Sequence, residues 1–235
     1  MDETSKKVVQ FTTIHKMKAH PDYTSAKAGD IEAAYRLMNA ILSGRSQQKK
    51  IQDIAAKHKG AIIVGVHAEE DLGRNKIPQT AAKIIGTMAG IETENNIVQS
   101  NRVERTGANA LHRLMERPKF LGSIQVGRQY ILIDDVVTGG GTMSELRCYI
   151  EENGGKVILM VAVSAAKFSA NIALSDETRQ SLIIKYGRAR LNEYISEMGM
   201  YDGKADFLTE SEGRAILSLS GKTPTRYVIK NTSII

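Results

Sequence analysis

Residues Tyr130 to Thr142 read YILIDDVVTGGGT, and this stretch limits the fold more than any other in the chain. A short, unbroken apolar run suits a strand buried on both faces of a parallel sheet. Two adjacent carboxylates do not belong inside such a strand, because buried charge is costly unless something binds it. Asp134 and Asp135 are therefore expected at the strand's carboxyl end, where an open α/β sheet binds its ligand, with their side chains on opposite faces. The turn that follows has three glycines between two threonines and leads into a helical pattern from Met143 to Glu152. Such a turn offers free backbone N–H groups and two hydroxyls at a helix N-terminus, a cradle for a phosphate dianion. An acidic pair for a diol and a phosphate cradle in one loop describe a site for a ribose 5-phosphate. The plain alternative is a strand–turn–helix with no ligand. No Gly-Lys-Ser/Thr follows the loop and the carboxylates precede the glycines, so neither a P-loop nor the dinucleotide fingerprint fits.

The surrounding pattern agrees with a parallel α/β sheet. AIIVGV, Ala61 to Val66, reads as a buried strand, and so does KVILMVAVSA after the Gly154-Gly155 break. NNIVQS, residues 95–100, reads as a further strand. Pro78 opens a helix closed by Gly90, Asp30 caps a helix with Ile31, Ala34, Tyr35 and Met38 at helical spacing, and a second helix is expected from about Gln47 to Lys59. A short helix is expected from Ala108 to Glu116. Near the N-terminus VVQFTTI is β-like. Ser175 with Asp176 and Glu177 starts another helix, and Thr209 with Glu212 forms a capping box. TRYVIK, close to the C-terminus, is again β-like. The expected organisation is an N-terminal helical segment, 1–59, able to act as a hood; an α/β core, 60–166; and a mostly helical extension, 167–235.

Composition narrows the function classes. The 235 residues suit one domain, or one with an appended piece, and the 42% apolar content is ordinary for a globular core. No apolar run reaches membrane-spanning length and the N-terminus lacks the apolar stretch of a signal peptide, so a soluble, cytoplasmic chain is expected. The single cysteine, Cys148, excludes an intramolecular disulfide and reads as a small buried thiol. A net charge of +6 favours polyanionic partners. The basic residues are dispersed, as on solvated faces. His15, His20, His58 and His112 read as surface residues, and metal-ligand spacing is absent among the histidines.

YILIDDVVTGGGT resembles the signature of the type I phosphoribosyltransferases, which bind phosphoribosyl pyrophosphate (PRPP). In that family a hydrophobic strand ends in two acidic residues and a Thr/Gly-rich loop. The resemblance implies that Asp134 and Asp135 take the ribose 2- and 3-hydroxyls, and that Thr138, Gly140, Gly141 and Thr142 hold the 5-phosphate. Gly139 stands where the family usually has Thr, Ser or Ala, which removes a hydroxyl contact and adds flexibility.

The resemblance also implies a pyrophosphate loop after an earlier strand, here His67 to Pro78. Arg74 and Lys76 are its candidate anion partners, since Arg suits a forked phosphate contact. His67 is a further candidate. Glu69, Glu70 and Asp71 would repel pyrophosphate unless they face solvent or Mg²⁺ intervenes. Over about residues 60–166, GRNKIPQTAAKII, Arg102, Arg105-Thr-Gly107, Arg113 and Phe120-Leu-Gly122 are similar to ComF-like phosphoribosyltransferase-related proteins. Arg102 and Arg105 would sit in a mobile loop that closes over PRPP, or in a plain surface loop.

The implied activity is phosphoribosyl transfer from PRPP to a nitrogen acceptor, such as a nucleobase, with release of pyrophosphate. Mg²⁺ would be carried mainly by PRPP oxygens. The rival readings are a PRPP-sensing regulator without turnover and a ComF-like accessory protein in nucleic-acid uptake or processing. Nucleic acid and a second copy of the chain stay open as partners. No acceptor motif stands out.

Overall fold

The computed structural model describes residues 8–67, 69–70, 73–101, 103, 114–166 and 172–219. Chain order within them is β1 (Val8–Thr13), α1 (Ile14–Lys18), α2 (Tyr23–Lys27), α3 (Ile31–Leu42), α4 (Arg45–Lys57) and β2 (Ile62–Gly65). A small hairpin follows, β3 (Glu69–Glu70) and β4 (Gly73–Arg74), then α5 (Ile77–Ala89), β5 (Glu92–Glu94), β6 (Val98–Gln99) and β7 (Phe120–Leu121). β8 (Gln129–Val137), α6 (Gly141–Glu152) and β9 (Lys156–Ala165) complete the central unit. The C-terminal helices are α7 (Asp176–Tyr186), α8 (Arg188–Glu197) and α9 (Glu210–Ser218), with two short 3₁₀ turns at Tyr201–Gly203 and Ala205–Phe207.

β1, β9, β8, β2 and β5 form a five-stranded sheet in that order, all parallel. This is the expected class: a parallel α/β sheet flanked by helices, with a helical C-terminal extension. β8 is central because its apolar run has no polar face to offer water; Tyr130 to Ile133 are fully buried. Its alternation divides the interior. Ile131 and Ile133 pack with Leu37, Met38, Ile51, Ile77 and Ile85 of α3, α4 and α5, while Tyr130 and Leu132 pack with Met143, Leu146 and Ile150 of α6. Each fully buried aliphatic side chain contributes about 1.5–3 kcal/mol. A third apolar cluster joins Leu114 and Cys148 to Leu182, Leu191, Ile195, Leu208 and Ile216 of the C-terminal helices.

The segment ahead of residue 60 contributes β1 to this sheet as an edge strand. Two of its carbonyls accept from α4: Lys50 Nζ donates to Gln10 O at 2.6 Å and Gln47 Nε2 to Phe11 O at 2.9 Å. Local signals hold where they were strongest. Asp30 caps α3 through Ala33 N at 3.0 Å, Gly90 ends α5 in the left-handed region at φ 66°, and Thr209 and Glu212 form a complete capping box on α9.

The strand expected at 95–100 needs correction. Only Val98–Gln99 is extended there, and it pairs antiparallel with β7 outside the main sheet. The sheet's edge strand is β5, ETE, which has no apolar alternation to announce it. The helix expected from Ala108 to Glu116 falls mostly outside the described residues, as does TRYVIK. No described helix is long and apolar enough to cross a membrane.

Candidate functional site

β8 outruns β2 at its carboxyl end. The last contact between them is Val66 N donating to Ile133 O at 2.8 Å, and β8 then continues beside β9 as far as Val137. Asp134 and Asp135 occupy the step so created, at the carboxyl end expected for them. Both are buried, at 9% and 5% exposure.

The two carboxylates have different surroundings. Asp135 lies on the α3–α5 side and is held by three donors. Lys27 Nζ and Asn75 Nδ2 each reach Oδ2 at 3.0 Å, and Val136 N donates to Oδ1 at 2.8 Å. Asp134 accepts from the backbone N of Asp135 at 2.8 Å. Burial, and then the charge of Asp135, hold the Asp134 carboxyl well above the usual carboxylate range. The pair thus carries unequal charge: Asp135 is neutralised by a lysine, and Asp134 resists ionisation.

Lys27 arrives from α2 because the turn after that helix packs on the β4–α5 connection. Lys76 N donates to Ala26 O at 3.2 Å, and Gly29, at φ 110°, brings its Cα against the Arg74 backbone. Asn75 points inward between its cationic neighbours and also accepts from Ile77 N at 3.0 Å, which starts α5. Gly65 permits this approach, since a Cβ there would stand 2.6 Å from Pro78 O.

The structure therefore brings the loop after β2 against the end of β8. Arg74 is exposed and Lys76 half-buried. Burial, and then the charges of Arg74 and Lys76, lower the pKa of His67, so its ring is neutral at neutral pH. Its Nδ1 is buried with no hydrogen-bond partner among the described residues. Glu69 pairs with Arg74 across the hairpin backbone, so this stretch, read as loop, is partly strand. Arg102 and Arg105 lie outside the described residues.

The glycine loop opens α6 as expected. Gly140 is the N-cap residue, at φ 78°, and no side chain caps the helix. The first-turn N–H groups have no intrahelical acceptor. Thr138 is exposed and Gly139 and Thr142 half-buried, but Gly140 and Gly141 are covered. The cover is the C-terminal extension. A Cβ on Gly140 would meet Ile172 at 3.2 Å and Thr209 at 3.3 Å, and one on Gly141 would meet Glu212 Oε1 at 2.7 Å and Arg117 Nη1 at 3.0 Å.

Beneath the loop lies a buried polar network. Arg117, 4% exposed at its side chain, donates from Nε to Glu145 Oε1 at 2.8 Å and from Nη1 to Glu212 Oε1 at 2.5 Å. Its guanidinium stacks 4.7 Å from the Tyr201 ring centroid, and Tyr201 Oη donates to Glu212 Oε2 at 2.6 Å. Burial alone would lower the Arg117 pKa, but the charge of Glu212 and its other neighbours outweighs it and the proton is held more tightly than usual.

Sequence reasoning missed Lys27, Asn75, Arg117 and Glu212. Asn75, inside GRNKIP, had the signal of an amide between two cations, and Glu212 stood out only as part of a capping box; Lys27 and Arg117 carried none beyond charge. Among the described residues no group of three or more His, Cys, Asp or Glu side chains could hold a metal ion. Cys148 is buried and its thiol is pushed up to about 12, chiefly by burial, which leaves it inert.

No family model matches the chain. Protein TraN of Escherichia coli is 37% identical over 189 residues, covering 78% of this chain and 40% of that protein. An uncharacterised protein of Haemophilus influenzae is 38% identical over 132 residues, covering 56% of this chain and 29% of its own. The chain thus spans less than half the length of these curated relatives. Among solved structures, adenine phosphoribosyltransferase from Saccharomyces cerevisiae overlays with a TM-score of 0.42 at 12% identity, covering 59% of this chain and 77% of that one. Orotate phosphoribosyltransferase from Aeropyrum pernix gives 0.34 at 13%, covering 57% and 67%. At TM-scores this low the overlays decide nothing about substrate or chemistry.

Proposed function

We propose that the chain binds PRPP at the carboxyl ends of β2 and β8 and transfers its phosphoribosyl group to a nitrogen acceptor, a nucleobase being the natural class, with release of pyrophosphate. One observation carries this reading: the strand-end acidic pair runs directly into a glycine–threonine turn at an uncapped helix N-terminus, opposite a loop bearing His67, Arg74 and Lys76. Asp134 and Asp135 would fix the ribose hydroxyls, and the N–H groups and hydroxyls of Thr138, Gly139 and Thr142 the 5-phosphate. The acceptor lone pair attacks C1 as the bond to pyrophosphate breaks, and Arg74 and Lys76 stabilise the charge that leaves. Mg²⁺ would be carried on ligand oxygens and water. Bound so, the ion supplies charge neutralisation at the pyrophosphate.

A PRPP-sensing role without turnover, including a ComF-like accessory role near nucleic acid, is the second reading. The observation favouring it is Lys27, which already neutralises Asp135 at 3.0 Å. Titration calorimetry with PRPP and Mg²⁺, followed by pyrophosphate release against a nucleobase panel, tests both. Turnover is expected, and Arg74→Ala should cost roughly 2–4 kcal/mol in it, with a smaller loss of PRPP affinity. Binding without release for any nitrogen acceptor selects the sensor. Absence of binding discards both readings.

A further inference from the structure

The C-terminal extension sits on the glycine loop through a charged pair. Glu212 Oε1 and Arg117 Nη1 are the nearest heavy atoms to the Cβ position of Gly141, at 2.7 and 3.0 Å, and both side chains are more than nine-tenths buried. Gly141 is the first residue of α6, where the positive end of the helix lies. A carboxylate at this point opposes anion binding by the loop, and a guanidinium there supports it.

The surrounding residues fix which atom of the pair faces which neighbour. Glu212 Oε2 accepts from Tyr201 Oη at 2.6 Å and Thr209 N at 3.0 Å, leaving Oε1 for Arg117. Tyr201 is held for this in the left-handed region at φ 49°, with Asp202 beside it at φ 47°. Such a backbone is unfavourable for a residue that carries a β-carbon. It persists where the surroundings over-determine it, and it commonly marks a functional constraint. Arg117, just ahead of β7, and Glu212, from α9, are thus locked together under one glycine.

We propose that the Arg117–Glu212 pair sets the electrostatic potential of the anion loop, and so the affinity and specificity for a phosphate-bearing ligand. The pair acts through the loop and does not touch the ligand. The inference rests on the phosphate-cradle reading of Thr138 to Thr142.

The two charges act with opposite sign, which a purely structural role would not produce. Glu212→Gln keeps an acceptor for Tyr201 and removes the negative charge; Arg117→Met removes the positive one; Arg117→Lys keeps it. Calorimetry with ribose 5-phosphate and inorganic phosphate reads the effect, with ribose as the uncharged control. Glu212→Gln should bind both phosphates roughly three- to tenfold tighter, the scale of one charge at partly screened, short range. Arg117→Met should bind them correspondingly weaker, Arg117→Lys near wild type, and ribose should not respond. Should Arg117→Met fail to fold, Glu212→Gln alone carries the sign. Weaker or unchanged phosphate binding by a folded Glu212→Gln overturns the proposal while leaving the cradle standing. No phosphate binding by the wild type overturns both.

Discussion

Asp134 and Asp135 are adjacent in sequence, yet the fold gives them opposite parts in stability. Asp134 is buried against the charge of Asp135 and held well above its usual range. A carboxyl so raised keeps a proton that the unfolded chain has lost, so stability declines as pH climbs from the unfolded value, near 4, towards the raised one. Asp134→Asn removes this penalty. Its melting temperature should exceed wild type at pH 7–8, by about 2–4 °C for each kcal/mol relieved, and the gain should vanish near pH 4. Asp135→Asn takes a carboxylate from the Lys27 ammonium, only 18% exposed, and should cost about 1–3 kcal/mol. Scanning calorimetry across pH checks both; a pH-independent gain for Asp134→Asn would show that charge is not its cause. The glycines differ in the same way. A methyl on Gly139 meets Ser211 Oγ at 3.5 Å, ordinary contact, whereas one on Gly141 meets Glu212 Oε1 at 2.7 Å. Gly139→Ala should be neutral or up to about 1 kcal/mol stabilising, through the unfolded state. Gly141→Ala should cost about 1–3 kcal/mol by overpacking. Equal denaturation midpoints would refute the assigned contacts.

Elements whose signal is local were legible; those defined by partners were not. β8 and β9 announced themselves by apolar runs that only a doubly covered strand tolerates, and KVILMVAVSA matches Lys156–Ala165 to the residue. α3, α5 and α9 carried caps whose chemistry is a matter of a few neighbouring residues. β5 is three residues of ETE on an edge, and it is a strand because β2 lies beside it. Its sequence gives no such hint. The same division runs through the site. The acidic pair and glycine loop are contiguous and stood out at once. Lys27 reaches Asp135 across 108 positions and Arg117 reaches Glu212 across 95, and no local pattern encodes pairings of that separation. One of them crosses from the N-terminal helices and the other involves the C-terminal extension, the two segments whose roles periodicity left open.

At the scale of the molecule, the core at 60–166 and the extension at 167–235 are divided more sharply in sequence than in packing. Cys148 and Leu114 are buried in the same cluster as Leu182, Ile195, Leu208 and Ile216, so the extension covers the outer side of α6. Arg117 pairs with Glu145 and with Glu212 of α9, so without α9 a buried guanidinium loses one of its carboxylates. Losing one partner of such an ion pair costs about 3–5 kcal/mol, and the exposed cluster adds lost apolar burial. A net stability of about 5–15 kcal/mol does not absorb that. The full chain should therefore unfold in urea in one transition, coincident by near-ultraviolet circular dichroism and fluorescence. A chain ended after residue 166 should lose the near-ultraviolet signal, keep much of its far-ultraviolet signal and bind a hydrophobic dye, as compact but unpacked states do. If instead the shortened chain unfolds in a single sharp transition near the full-length midpoint, the extension is a separate unit. The glycine loop would then be an independent cradle, and Glu212 would have no hold on its charge.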